Sequence, residues 1–335
     1  MNSEISDASI GIVGAGAFGT ALACVVGANG TATALYGRNS EAMAHMRASR
    51  VNPRLPKIPL PASVEPKSDF NSISGHDYLL LVVPSSAQIE IAKELASRIK
   101  TGCTIVMCAK GLDKTTGGTI TQRLAKVLPE HPIAVLSGPG FAADIALGLP
   151  TAMTLAASNL SVAETTTRIL SRKAFRLYAS DDVTGVQIGG ALKNVLAIAS
   201  GIVMGARLGE SARAALIARG LAELTRFVTA SGGKQETAAG LSGLGDLVLT
   251  ATSKQSRNYQ FGISLGEGAV VSELIGEGRP LVEGAAAAIT AKFAASALSV
   301  PMPITDAVAA IVSGTADVAT LSDRLLSRPL RNETA

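Results

Sequence analysis

Apolar positions follow two rhythms along this chain. Up to about residue 180 they cluster in short continuous runs: Ile10–Val13, Thr31–Tyr36, Tyr78–Val83, Cys103–Cys108, Ile133–Leu136, Thr151–Ala156 and Phe175–Ala179. Runs of this length, closed by turn residues, are the mark of strands buried on both faces of a parallel sheet. Stretches with helical spacing lie between them, and Ser85 and Ser86 are placed to cap one that ends near Ile99. The segment from Val51 to Pro66 breaks the alternation. Its prolines, Pro53, Pro56, Pro59, Pro61 and Pro66, forbid a regular helix or a central strand, so it is read as an ordered loop over one edge of the sheet. The rhythm changes at Ser180-Asp181-Asp182, which are good helix N-caps, and the periodicity beyond them is helical. The pattern predicts an α/β chain: a doubly wound sheet over residues 1–184, then a mainly α-helical unit over residues 185–335, divided near Gly185.

The first apolar run ends in Gly14-Ala15-Gly16-Ala17-Phe18-Gly19, and helical spacing follows at once. Gly14 permits the tight turn off the strand, Gly16 lets the backbone approach a diphosphate, and Gly19 lets the helix pack closely on the strand. The new helix would point its free N–H groups and positive dipole end at the phosphates. This makes the first unit Rossmann-like and assigns it a dinucleotide. The second run leads to Gly37-Arg38. An acid at this strand end would select a free ribose 2′-hydroxyl, whereas Arg38 can pair with a 2′-phosphate, so NADP is expected ahead of NAD.

Composition narrows the function. Of the 335 residues, 47% are hydrophobic and 17% charged, which is ample material for packed cores. The net charge of +4 comes without any basic run, which argues against nucleic acid and fits a small anionic substrate. Cys24, Cys103 and Cys108 fall in apolar segments without metal-like spacing, and read as reduced core residues of a cytoplasmic protein. No metal is expected. Met1–Asp7 has neither a basic nor an apolar region and is not read as a signal peptide. The most apolar later stretch, Val195 to Ala206, is too short to span a membrane.

Two segments of the helical half carry chemistry. Lys193, in Gly189-Gly190-Ala191-Leu192-Lys193-Asn194-Val195, would be costly to bury without partners or a function, and the two glycines leave room for a ligand beside it. Leu241-Ser242-Gly243-Leu244-Gly245-Asp246 suits a tight turn that aims a carboxylate, and Ser256-Arg257-Asn258 joins a charge to two hydrogen-bonding groups, as a phosphate requires. Lys110 follows the fourth apolar run directly, at the end of the sheet where ligands bind. His45, His76 and His131 lie outside these segments, so the acid/base is not read as histidine.

Together, Gly14–Gly19, Lys110-Gly111, Gly138-Pro139-Gly140-Phe141-Ala142, Lys193-Asn194, Ala215-Leu216-Ile217-Ala218-Arg219-Gly220, Gly243–Asp246 and Ser256–Asn258 resemble, in order, the bacterial NAD(P)-dependent glycerol-3-phosphate dehydrogenase family, from Ile10 to about Gly314. The resemblance implies hydride transfer between a nicotinamide and C2 of glycerol 3-phosphate, which feeds phospholipid synthesis. It implies that Lys193 is the general acid/base, and that Lys110 touches both cofactor and substrate. Gly138, Gly140, Asp246, Ser256, Arg257 and Asn258 would hold the substrate. Ala17, Phe18, Arg38, Ala142, Arg257, Leu281 and Glu283 would line the cofactor. A homodimer is expected from the family and from the commonness of two-fold oligomers.

The chain departs from the family in three places. Ala17-Phe18 stands where Ser-Trp or Ser-Phe is usual, Gly140 where Ser is usual, and Arg54 directly precedes Leu55-Pro56 where an aromatic residue is frequent. Two other functions stay open at this level. A related two-domain reductase, such as a ketopantoate reductase, would not need the Ser256–Asn258 cluster. A nucleotide-binding sensor would not need Lys110, Lys193 and Asp246.

Overall fold

The computed structural model describes residues 8–319, apart from Glu277 and Pro280. The heptapeptide Met1–Asp7, and the part of the helical unit beyond residue 319, lie outside the described residues.

Eight strands form one sheet: β1 (Ile10–Val13), β2 (Thr33–Tyr36), β3 (Val64–Lys67), β4 (Tyr78–Leu81), β5 (Thr104–Met107), β6 (Ile133–Ser137), β7 (Thr151–Ala157) and β8 (Phe175–Ser180). Their order in space is β3-β2-β1-β4-β5-β6-β7-β8. Six helices belong to this part of the chain: α1 (Ala17–Gly27), α2 (Ser40–Ser49), α3 (Gln88–Leu95), α4 (Ile120–Val127), α5 (Ala142–Ala146) and α6 (Leu160–Leu170). Every residue of β1, β2 and β5 is buried, which is why their sequences are almost entirely apolar, with only Thr33 and Thr104 polar. The chain winds outward from β1 in both directions, so β1 and β4 are parallel neighbours with a crevice at their carboxyl ends.

Three sequence expectations need correction. Strands β1 to β6 are parallel, but β7 pairs antiparallel with β6, and β8 pairs parallel with β7. The last two strands therefore run against the other six. The proline-rich segment ends in a strand, not a loop, with Pro66 opposite Leu35 on the outermost strand β3. An edge strand tolerates a proline because its outward N–H has no partner to lose. Ser85 and Ser86 do not cap a helix; they lie in the 3-10 turn Ser85–Ala87, and α3 ends at Leu95. The buried Gln88 amide holds that turn instead, donating to the carbonyls of Leu81 at 3.2 Å and Val83 at 2.8 Å.

Asp182 does cap the next helix, its Oδ1 accepting from the Gly185 N–H at 2.8 Å. That helix, α7 (Val183–Gly205), opens a helical assembly with α8 (Glu210–Ala230), α9 (Gln235–Ala239), α10 (Asp246–Thr252), α11 (Arg257–Gly266), α12 (Val271–Leu274), α13 (Glu283–Ala297) and α14 (Pro303–Val312). α7 is longer than its most apolar sequence stretch and has the length and hydropathy to cross a membrane, but 94% of that apolar window is buried inside the protein. It is the core helix around which the others pack. Its backbone meets that of α11 directly. A Cβ on Gly201 would overlap the Tyr259 carbonyl oxygen, and one on Gly262 would overlap that of Ile198. Cys24, Cys103 and Cys108 are buried free thiols, and burial pushes Cys24 up to about 11 and Cys103 up to about 12.

Candidate active site

A cleft of about 1310 Å³ opens where the carboxyl ends of β1, β4 and β5 face the helical assembly. One wall is the turn from β1 into α1. Gly14 has φ +121°, a backbone conformation that side chains disfavour, and a Cβ there would also press on the Val82 backbone. A Cβ on Gly19 would collide with the Gly14 carbonyl, so this glycine is what lets α1 start so close to the strand. Gly16, by contrast, faces the cleft: the nearest atom to a Cβ built on it is Arg54 Nη1 at 3.8 Å. The turn therefore leaves an open backbone cradle at the N-terminus of an 11-residue helix, which fits a dinucleotide diphosphate. Arg38, exposed after β2, lines the same cleft, as do Ala17, Phe18, Ala142, Leu281 and Glu283. These are the residues that would hold a nicotinamide cofactor.

The floor of the cleft is a chain of charges. Lys193 projects from the middle of α7 and is only 6% exposed. Its Nζ donates to Asp246 Oδ1 at 2.8 Å and to Thr250 Oγ1 at 2.6 Å. The Thr250 hydroxyl donates in turn to Asp246 Oδ1 at 3.1 Å. Lys110 reaches in from the loop after β5 and donates to Asp246 Oδ2 at 2.5 Å and to the Gly138 carbonyl at 3.2 Å. One fully buried carboxylate thus bridges two ammonium groups. Burial alone would push the Asp246 carboxyl up, but the ammonium groups of Lys110 and Lys193 hold it below the usual carboxylate range. For Lys193 the balance goes the other way. Burial lowers it, Asp246 raises it, Lys110 lowers it again, and the amine comes to about 8. An amine poised there can give or take a proton near neutral pH.

The third wall carries the hydrogen-bonding cluster. Ser256 is buried and caps α11, its Oγ accepting from the Tyr259 N–H at 3.2 Å. Arg257 at the first position of α11 is exposed to the cleft and makes no hydrogen bond or ion pair with the described residues. Asn258 also lines the cleft, and its amide is held at both ends: Nδ2 donates to Asn194 Oδ1 at 2.9 Å, and Oδ1 accepts from the Gly284 N–H at 3.0 Å. It ties α7 to the start of α13. Glu283 sits beside it, and burial raises its carboxyl despite the opposing charges of Lys110, Arg257 and Lys193.

The comparisons with known proteins agree along the whole chain. Residues 9–163 match the model for the NAD-dependent glycerol-3-phosphate dehydrogenase N-terminus, and residues 182–323 match that for its C-terminus. The chain belongs to the NAD-dependent glycerol-3-phosphate dehydrogenase family. A glycerol-3-phosphate dehydrogenase [NAD(P)+] of Rhizobium etli is 53% identical over 97% of this chain and 99% of its own. One from Agrobacterium fabrum is 51% identical over 96% and 98%. The crystal structure of glycerol-3-phosphate dehydrogenase from Coxiella burnetii superposes with a TM-score of 0.91 at 39% identity, covering 96% of this chain and 99% of that one. A ketopantoate reductase from Ralstonia eutropha shares the fold alone, with a TM-score of 0.59 at 16% identity.

Within this dehydrogenase frame, the cleft gathers nearly every residue singled out in the sequence. Gly138 is not on its surface but contributes the carbonyl that positions Lys110. Lys193 does line the cleft, but the room left by Gly189 and Gly190 is filled by protein. Gly189 lies against the Ser242 backbone and Gly190 against the Ser137 hydroxyl, so these glycines admit neighbouring protein atoms, not a ligand. Asp246 is aimed by a π-helical turn, Leu241–Gly245, and starts α10, where the sequence suggested a tight turn. His45 lines the cleft at its exposed rim, away from the charge chain. Thr250 escaped the sequence reading. Its signal was there, four residues after Asp246 on one helical face, but only the folded partner Lys193 gives that spacing a meaning.

Proposed function

We propose that this chain interconverts dihydroxyacetone phosphate and sn-glycerol 3-phosphate with a nicotinamide cofactor, NADPH ahead of NADH, and so supplies glycerol 3-phosphate for phospholipid synthesis. The observation that carries the reading is the buried Lys193–Asp246–Lys110 chain at the floor of a cleft walled by the glycine turn. A bound nicotinamide supplies or accepts the hydride at C2. The protein moves the proton. In the reductive direction, the Lys193 ammonium gives a proton to the carbonyl oxygen as negative charge develops there, and the neutral amine is left beside Asp246. In the oxidative direction, the same amine takes the proton from the C2 hydroxyl. Lys110, held by Asp246 and the Gly138 carbonyl, adds positive charge next to the developing oxyanion. Arg257 and the first turn of α11 take the phosphate, whose charge matches a free guanidinium at a helix N-terminus. Ser256 shapes that turn, and Gly140 leaves room for the buried Ile145 side chain, whose Cδ1 would lie 2.8 Å from a Cβ there.

The ketopantoate reductase alternative has no use for this phosphate wall, and a sensor has no use for a lysine tuned to about 8. The deciding assay follows NADPH absorbance on adding dihydroxyacetone phosphate. No turnover with the phosphorylated ketone, alongside turnover of a phosphate-free ketoacid, would overturn the reading. The proposal extends to a cytoplasmic homodimer built of two units meeting near Gly185. The change from sheet to helices at α7 supports that division, and sedimentation of the purified protein tests the dimer.

A further inference from the structure

The loop between α2 and β3 is pinned to the glycine turn by one buried side chain. Asn52 is 2% exposed. Its Nδ2 donates to the Ala15 carbonyl at 3.1 Å and to Thr20 Oγ1 at 2.6 Å, while its Oδ1 accepts from the Arg54 N–H at 3.0 Å. Leu55 anchors the far side, buried and bonded through its N–H to the Asn52 carbonyl at 2.8 Å. Arg54 is therefore held between two fixed points. Its guanidinium projects over Gly16, with Nη1 3.8 Å from where a Cβ on that glycine would stand. It lines the cleft, is exposed, and makes no hydrogen bond or ion pair with the described residues.

A lone, well-placed guanidinium above an open backbone cradle is a ready anion clamp. The cradle itself has neighbours that cannot help. Ala17 has no hydroxyl, and the Gly16 N-cap of α1 has no side chain to offer. We propose that Arg54 is a cofactor-binding residue that grips the dinucleotide diphosphate, opposite the first turn of α1. This rests on reading the glycine turn as the cofactor seat. Its division of labour with Arg38 follows from position: Arg38 stands past the end of β2, where a ribose 2′-phosphate would be read, and Arg54 stands over the turn that both NADPH and NADH must use.

The test is direct cofactor binding, by calorimetry or by the fluorescence of the reduced nicotinamide, without substrate. Arg54→Gln should raise the Kd for NADPH and for NADH by the same factor, roughly 10- to 100-fold, the scale of a lost charged hydrogen bond. The salt dependence of both affinities should weaken with it. Arg38→Ala should instead raise the Kd for NADPH alone. Arg54→Lys, which keeps the charge and loses the fork, should fall between parent and Arg54→Gln, and it guards against a variant that merely folds poorly. Unchanged Kd values in Arg54→Gln, or a loss confined to NADPH, would overturn the assignment while leaving the cofactor seat intact. A parent protein that binds neither cofactor would overturn both.

Discussion

Replacing Asp246 by Asn should move the working pH of this enzyme. The carboxylate is 1% exposed and lies 2.8 Å from Lys193 Nζ, with Lys110 on its other oxygen. It is the main influence holding the Lys193 amine up against burial and against the second ammonium. In the parent, an amine at about 8 is protonated for about nine-tenths of the molecules at pH 7. Reduction, which needs the ammonium, should therefore run on a plateau below about pH 8 and fall above it, and oxidation should rise through the same value. Removing one partner of a buried pair costs on the order of 3 kcal/mol, equivalent to about 2 pH units at the remaining amine. The Asn variant should then titrate near pH 6. At pH 7 only about one-tenth of its Lys193 would be protonated, so kcat/KM for reduction should fall about tenfold from protonation alone. The oxidative limb should shift acid by the same interval. The assay is kcat/KM in both directions from pH 5 to 9, at saturating cofactor, in parent and variant. A variant that loses activity uniformly, with its limb still near pH 8, would refute the claim that Asp246 sets the proton affinity of Lys193.

Other outcomes follow from the same geometry. Lys193→Met should retain NADPH binding by titration yet turn over about 100-fold slower or worse, and Lys193→Arg should not restore the rate, because a guanidinium does not release its proton. Arg257→Ala should cost about 1.5–3 kcal/mol in kcat/KM for dihydroxyacetone phosphate and little for dihydroxyacetone; an unchanged ratio of the two would contradict the phosphate role. Glu223 is buried, accepts the N–H groups of Ile304 and Thr305 at the start of α14, and is pushed by burial up to about 7. A carboxyl raised in the folded state binds more protons there than in the unfolded chain, so stability falls as pH rises from about 4.5 to 7, by on the order of 3 kcal/mol. Urea midpoints at pH 5 and pH 8 should show that slope in the parent and a flatter one in Glu223→Gln.

The sequence made the strands, the glycine turn and the odd lysine legible because each is a local signal. A continuous apolar run, a glycine spacing and a charge inside an apolar helix all announce themselves within a few residues. What it hid was pairwise. Hydropathy has no sign for strand direction, so the reversal of β7 and β8 left no trace in it. The prolines up to Pro66 exclude a central strand, but nothing local says that the segment ends in the outermost strand, where a missing N–H is harmless. Gly189 and Gly190 make room not for a ligand but for the backbone at Ser242 and the hydroxyl of Ser137, residues some fifty positions away in either direction. Asn52, which orients Arg54, looks like any loop asparagine until Ala15 and Thr20 are brought beside it.

The seam between α7 and α11 has a consequence for how this enzyme can change over generations. Lys193 and Arg257, the proposed proton donor and phosphate grip, ride on two helices whose backbones touch at Gly201 and Gly262, with Gly205 and Gly266 repeating the contact one turn on. No side chain fills that seam, so no side chain can be trimmed to tune it, and any larger residue would force the whole helix aside. Small inherited substitutions therefore cannot stretch or shorten the span between proton and phosphate by degrees. With Lys193 and Arg257 as the proposed grips on the substrate, a change in its length meets a rigid span along that axis, whereas side chains at the exposed rim of the cleft have room to change.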